Sequence, residues 1–110
     1  MEYLHGVLDM LVLRTLVRGP LHGYGVAKSL HVDSGGGLTI EFGSLYPALK
    51  RLEARGWIQS KWETSAHKRR AKYYRLTAKG RRQLETERSQ WADFVSAIAR
   101  VMGTGQKEAG

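Results

Sequence analysis

The sequence predicts a mainly α fold that carries one small β-hairpin and closes on a long helix. Three observations support this. Apolar residues recur at helical spacing in three early segments. Two aromatic-rich segments then flank a polar, basic stretch, and a final apolar stripe repeats every seven residues. The 110 residues suit one domain with an appended element. A content of 42% hydrophobic and 25% charged residues argues against disorder throughout.

Residues 4–17 (LHGVLDMLVLRTLV) place Leu4, Val7, Leu8, Leu11 and Val12 on one helical face, with Leu16 further along, and Gly19-Pro20 ends the helix. Residues 21–31 read as a short second helix that begins near Gly23 or Tyr24 and turns Val26, Ala27 and Leu30 inward. Residues 33–37 (DSGGG) read as a flexible connector. Ser44 is expected to cap a third helix, with Leu45, Ala48, Leu49 and Leu52 inward, Pro47 in its first turn and Gly56 as its stop. Residues 57–62 and 71–76 then change to the aromatic and branched composition of strands, leaving residues 63–70 as a hairpin tip. Thr77 caps the last helix. Its stripe of Leu84, Trp91, Phe94, Val95, Ile98, Val101 and Met102 forms a helix–helix seam, and residues 103–110 are expected to be a disordered tail.

Three helices followed by a two-stranded hairpin make a winged helix-turn-helix, assigned to residues 1–77, with a C-terminal dimerisation helix over residues 78–102. The charge points to a polyanion. The net charge is +8, and residues 43–82 hold 12 basic against 2 acidic side chains, while the flanking segments carry −1 each. On charge alone the partner is duplex DNA, RNA or an acidic protein. No amphipathic segment in this window joins its basic residues to a continuous apolar face, which argues against a membrane surface.

Other chemistries find no support. The chain has no cysteine, which removes thiolate metal sites, thiol catalysis and disulfides. His5, His22, His31 and His67 lack the spacing of paired ligands on one helix face, and Walker and Gly-x-Ser-x-Gly motifs are absent. Asp33 has no second carboxylate close by in sequence. Neither an enzyme nor a cofactor is expected. The apolar start, Val7 to Val17, is broken by Asp9 and Arg14, and no stretch reaches the roughly 18 apolar residues of a membrane span, so a cytoplasmic protein is expected.

Three motifs carry a family resemblance. Residues 19–25 (GPLHGYG), 43–58 (GSLYPALKRLEARGWI) and 73–80 (YYRLTAKG) resemble the turn, the recognition helix and the wing-to-last-helix junction of PadR-type transcriptional regulators. The likeness covers about residues 4–102, and the single last helix is similar to the short subclass. It implies a DNA-binding homodimer built from the first and last helices, with room near the interface for a small apolar or aromatic effector. An aromatic residue of the last helix often lines that site, which points to Trp91. A tryptophan that simply packs the interface is an equal alternative. Where many relatives have wing-tip glycines, this chain has residues 65–68 (SAHK).

The residues expected to meet DNA follow from position and chemistry. Ser44, Tyr46, Pro47, Lys50 and Arg51 lie on the third helix away from its leucine face, near an N-terminus whose free N–H groups favour phosphate. Tyr46 also reads as a half-buried packing residue. In the wing, Lys68, Arg69, Arg70 and Lys72 set four positive charges within five residues, which favours salt-sensitive phosphate binding. Trp57, Ile58, Tyr73 and Leu76 read as wing core, and Arg55 as an intramolecular or surface residue.

Overall fold

The computed structural model describes residues 2–103, with side chains from residue 6 onward. The order is α1 (Glu2–Thr15), β1 (Leu21–His22), α2 (Gly23–Asp33), α3 (Phe42–Ala54), β2 (Ile58–Thr64), β3 (Arg70–Leu76) and α4 (Ala78–Met102). Four helices surround one core, and a small antiparallel sheet projects from its side. Val12 and Leu13 from α1, Leu16 just after it, Val26 and Leu30 from α2, and Leu45, Leu49 and Leu52 from α3 meet Ile58, Tyr74 and Leu84. Burying large aliphatic groups from every element fixes the relative positions of α2 and α3, the helix-turn-helix pair.

Several boundaries differ from the sequence reading. The α1 helix ends at Thr15, two residues early, because Leu16 and Val17 bond back to Leu13 and Arg14 in a tighter turn. The connector expected at residues 33–37 is a bonded helix end. The Gly36 N–H donates to the His31 carbonyl at 2.8 Å, and the Leu38 N–H donates to Ser34 Oγ at 2.9 Å. The α3 helix begins before Ser44: Glu41 is extended, and its carbonyl accepts from the Ser44 and Leu45 N–H groups. Ser44 thus sits in the first turn, and Pro47 lies beyond it. Gly56 follows with φ +77°, the left-handed stop that an L side chain rarely adopts.

The sheet has a third strand. Its order is β1-β3-β2, with Leu21 opposite Tyr74 and His22 opposite Tyr73. The hairpin runs from Ile58 opposite Leu76 to Thr64 opposite Arg70, so Glu63, Thr64 and Arg70 belong to strands and the tip is shorter than expected. Because β1 spans two residues, one edge of β3 stays open toward the tip.

At the junction, the Thr77 hydroxyl accepts from the Gly80 N–H at 3.0 Å and faces the carbonyls of Gly56 and Trp57. A Cβ on Gly80 would stand 2.0 Å from the Trp57 carbonyl oxygen, so only glycine lets α4 start so close to the α3–β2 turn. Leu84, expected in a seam between molecules, is 3% exposed and packs into this chain's own core. The first two turns of α4 therefore complete the domain, and the helix projects beyond it. Gly103 ends α4 in the left-handed region; residues 104–110, most of the expected tail, lie outside the described residues.

Candidate nucleic-acid interface

Tyr46 of α3, the start of α2 (His22, Gly23, Tyr24) and the inner side of the wing line a common concave groove of about 1190 Å³. Burial of Leu45, Ala48, Leu49 and Leu52 leaves Ser44, Tyr46, Pro47 and Lys50 on the open side of the helix. Glu41 makes no side-chain cap and the first turn holds no acidic residue, so no side chain of the cap or first turn occupies the N–H groups of Phe42 and Gly43. Tyr46 is exposed and reaches over the start of α2. A Cβ on Gly23 would fall 2.6 Å from its hydroxyl, so the glycine makes room for the ring. Phe42 stacks on Tyr46 with ring centroids 5.7 Å apart.

Arg51 is placed differently from the expectation. Its guanidinium donates to the buried Asp9 of α1 at 2.8 Å, and Arg55 approaches the other carboxylate oxygen at 4.0 Å. A buried carboxylate needs such partners, since leaving it unpaired costs several kcal/mol in general terms. Arg51 therefore fixes α3 against α1. Arg55 also lies over Trp57, the intramolecular role expected of it.

The wing presents Lys68, Arg69, Arg70 and Lys72, and Arg70 lies over the exposed Trp62 ring at 4.9 Å. Residues 65–69 close a three-residue loop: the Ser65 N–H donates to the Arg69 carbonyl at 2.8 Å and the Lys68 N–H to the Ser65 carbonyl at 2.9 Å. Lys68 takes the left-handed position, φ 62°, where such loops favour glycine. Ser65 Oγ also accepts from the His67 and Arg69 N–H groups. Of the residues read as wing core, Ile58 is buried together with Tyr74, and Leu76 and Trp57 pack against them, whereas Tyr73 lines the groove beside His22.

Three groove residues escaped the sequence reading. Tyr24 and Trp62 are exposed aromatics, and His22 lies beside Tyr24 at the α2 start. Strand alternation places Trp62 on the face of Ile58 and Ser60, but the core ends before it. That alternation was the available signal. His22 and Tyr24 looked like turn residues because the pairing of β1 with β3 is not written locally.

At the opposite end, α1 and α4 enclose a smaller cavity of about 240 Å³ lined by Val7, Met10, Glu87, Trp91 and Phe94. Burial pushes the Glu87 carboxyl above its ordinary range, Asp9 adds to this, and the hydrogen bond from Gln83 partly offsets it. Beyond the cavity, Val95, Ile98, Val101 and Met102 are exposed on α4. Among the described residues no helix is long and apolar enough to cross a membrane, and no group of three or more acidic or histidine side chains is arranged to hold a metal.

Comparison with known proteins agrees with this geometry. The model of the transcriptional regulator PadR-like family matches residues 12–86. A solved PadR family transcriptional regulator from Eggerthella lenta is 38% identical, with a TM-score of 0.75 over 94% of this chain and 88% of that one. A transcriptional regulator from Clostridium thermocellum is 27% identical, with a TM-score of 0.81 over 91% and 97% of the two chains. An uncharacterised protein of Lysinibacillus sphaericus is 25% identical over 97 residues, 88% of this chain and 89% of that protein.

Proposed function

This chain belongs to the PadR-like family of transcriptional regulators, and we propose that it is a repressor that binds operator DNA sequence-specifically as a homodimer. Each protomer lays α3 in a major groove, with Ser44, Tyr46, Pro47 and Lys50 at base edges and phosphates, while Lys68, Arg69, Arg70 and Lys72 hold the adjacent backbone. Residues 1–77 form the DNA-binding domain and residues 78–102 the dimerisation helix, whose outer part pairs through Trp91, Phe94, Val95, Ile98, Val101 and Met102. A small apolar or aromatic effector enters beside Trp91 and shifts the spacing of the two recognition helices. The observation that supports this reading is the groove shared by Tyr46 of α3 and the wing cations Arg69, Arg70 and Lys72, with Ser44, Pro47 and Lys50 exposed on the same helix.

The test is salt dependence. Binding to duplex DNA should fall steeply as salt rises, and replacing Arg69, Arg70 and Lys72 with alanine should make the slope of log affinity against log salt shallower by about two to three. Tyr46→Ala and Lys50→Ala should instead lower the preference for operator over random DNA, by about 1–3 kcal/mol for each base-reading contact. Tighter binding to RNA or to an acidic protein than to duplex DNA would overturn the proposal.

A further inference from the structure

The geometry points to His22 as a further DNA-contacting residue, a neutral imidazole that donates its Nε2 proton to a backbone phosphate in the groove. This rests on the DNA-binding reading above. His22 ends β1 and caps α2, and its Nδ1 accepts from the Gly25 N–H at 2.9 Å. An accepting Nδ1 carries no proton, so a neutral ring bears its proton on Nε2.

The ring is held in place from several sides. It lies 5.2 Å from Tyr73, its partner across the strand pair, and 6.3 Å from Tyr24. Gly25 allows the cap, because a Cβ there would press on the imidazole at 3.3 Å. The ring thus cannot turn without giving up the α2 cap. It lines the groove that also holds Tyr46, Arg69, Arg70 and Lys72. An anion drawn in by the three cations meets an imidazole of the groove lining that is held in place through Nδ1. A neutral donor positions a phosphate without neutralising it, so its contribution is directional and releases no counterion.

Two substitutions separate the roles of the ring. In His22→Asn the amide oxygen can replace Nδ1 as the cap, but the side chain is too short to donate from the Nε2 position. His22→Gln keeps a donor near Nε2 and loses the cap. A random-sequence duplex of about three helical turns is a sufficient probe, because phosphate contacts do not depend on sequence. His22→Asn should melt within about 2 °C of wild type, bind about tenfold more weakly, and keep the wild-type salt slope. His22→Gln should melt lower yet bind within about threefold of wild type. Wild-type affinity in His22→Asn, a slope shallower by about one, or equal losses in both variants would overturn the assignment while leaving DNA binding intact. Absence of duplex binding by the wild-type protein would overturn both.

Discussion

The helices α3 and α4 both carry apolar residues three and four apart, yet the two faces meet different fates. In α3, Leu45, Ala48, Leu49 and Leu52 are 1% exposed or less, covered by the rest of the chain. In α4 beyond Leu84, Trp91, Val95, Ile98, Val101 and Met102 are 39–86% exposed. Periodicity thus says that a face needs covering and leaves open what covers it. The surface remaining on α3 sets the polar Ser44 and Lys50 beside the exposed Phe42 and Tyr46 rings, a mixture that suits phosphate and base edges. That on α4 is apolar and suits a second copy, since a contiguous apolar patch marks an interface.

The sharpest way to break this comparison is to truncate one residue from each face. Leu49→Ala should lower unfolding stability by about 2–5 kcal/mol, because its cavity lies inside the chain. The loss should be the same at every protein concentration, as read by denaturant titration. Phe94→Ala with Ile98→Ala should act at the other end. If a partner covers that face, truncating a buried interface aromatic alone costs about 2–4 kcal/mol, or roughly 30- to 1,000-fold in dimer dissociation. Light scattering at micromolar concentration should then show a lower mass, with most of the weak affinity for a single half-site retained. A wild-type monomer under those conditions would leave the α4 face without its proposed cover. Within the same face, Trp91→Ala separates two roles: loss of the response to an apolar effector with dimers intact favours the ligand role, and loss of the dimer by light scattering favours interface packing.

The smallest expected effect sits between the two regions. Glu87 has its carboxyl raised by burial, so its contribution to stability is fullest at acid pH and is lost as pH rises through the raised value. Glu87→Gln should therefore melt slightly higher than wild type at neutral pH, by no more than about 2 °C given its partial exposure, and the two melting curves should converge in acid. A variant that melts lower at neutral pH would show that the ionised carboxylate is held by favourable partners.

The helices and the hairpin were legible because each rests on a local period and a local stop, as with Leu45 to Leu52 and Gly56. What escaped was long-range. Nothing near Leu21-His22 announces a strand, because its partners Tyr73 and Tyr74 lie some fifty residues on. Arg51 reads as a free cation until the fold brings Asp9 of α1 within hydrogen-bond distance. Leu84 fits the seven-residue stripe by spacing, but the Gly80 contact with Trp57 pulls that part of α4 into the core. The Ser44 cap failed for a different reason. Glu41 starts the helix with its backbone alone, and sequence rules weigh side-chain caps.

Lys68 has a consequence for how the wing meets its target. A left-handed lysine costs about 1 kcal/mol where glycine would fit freely. The Ser65 hydroxyl, bonded to two backbone N–H groups, helps hold the loop in that shape. A glycine tip would wander among many conformations in the free protein and have to settle on contact with DNA. This tip is settled beforehand, so less disorder remains to be lost on binding. In the DNA-binding reading proposed above, the wing acts as a preset gauge: its loop backbone is set before any phosphate arrives, and the nucleic acid that fits best is the one whose groove width already matches.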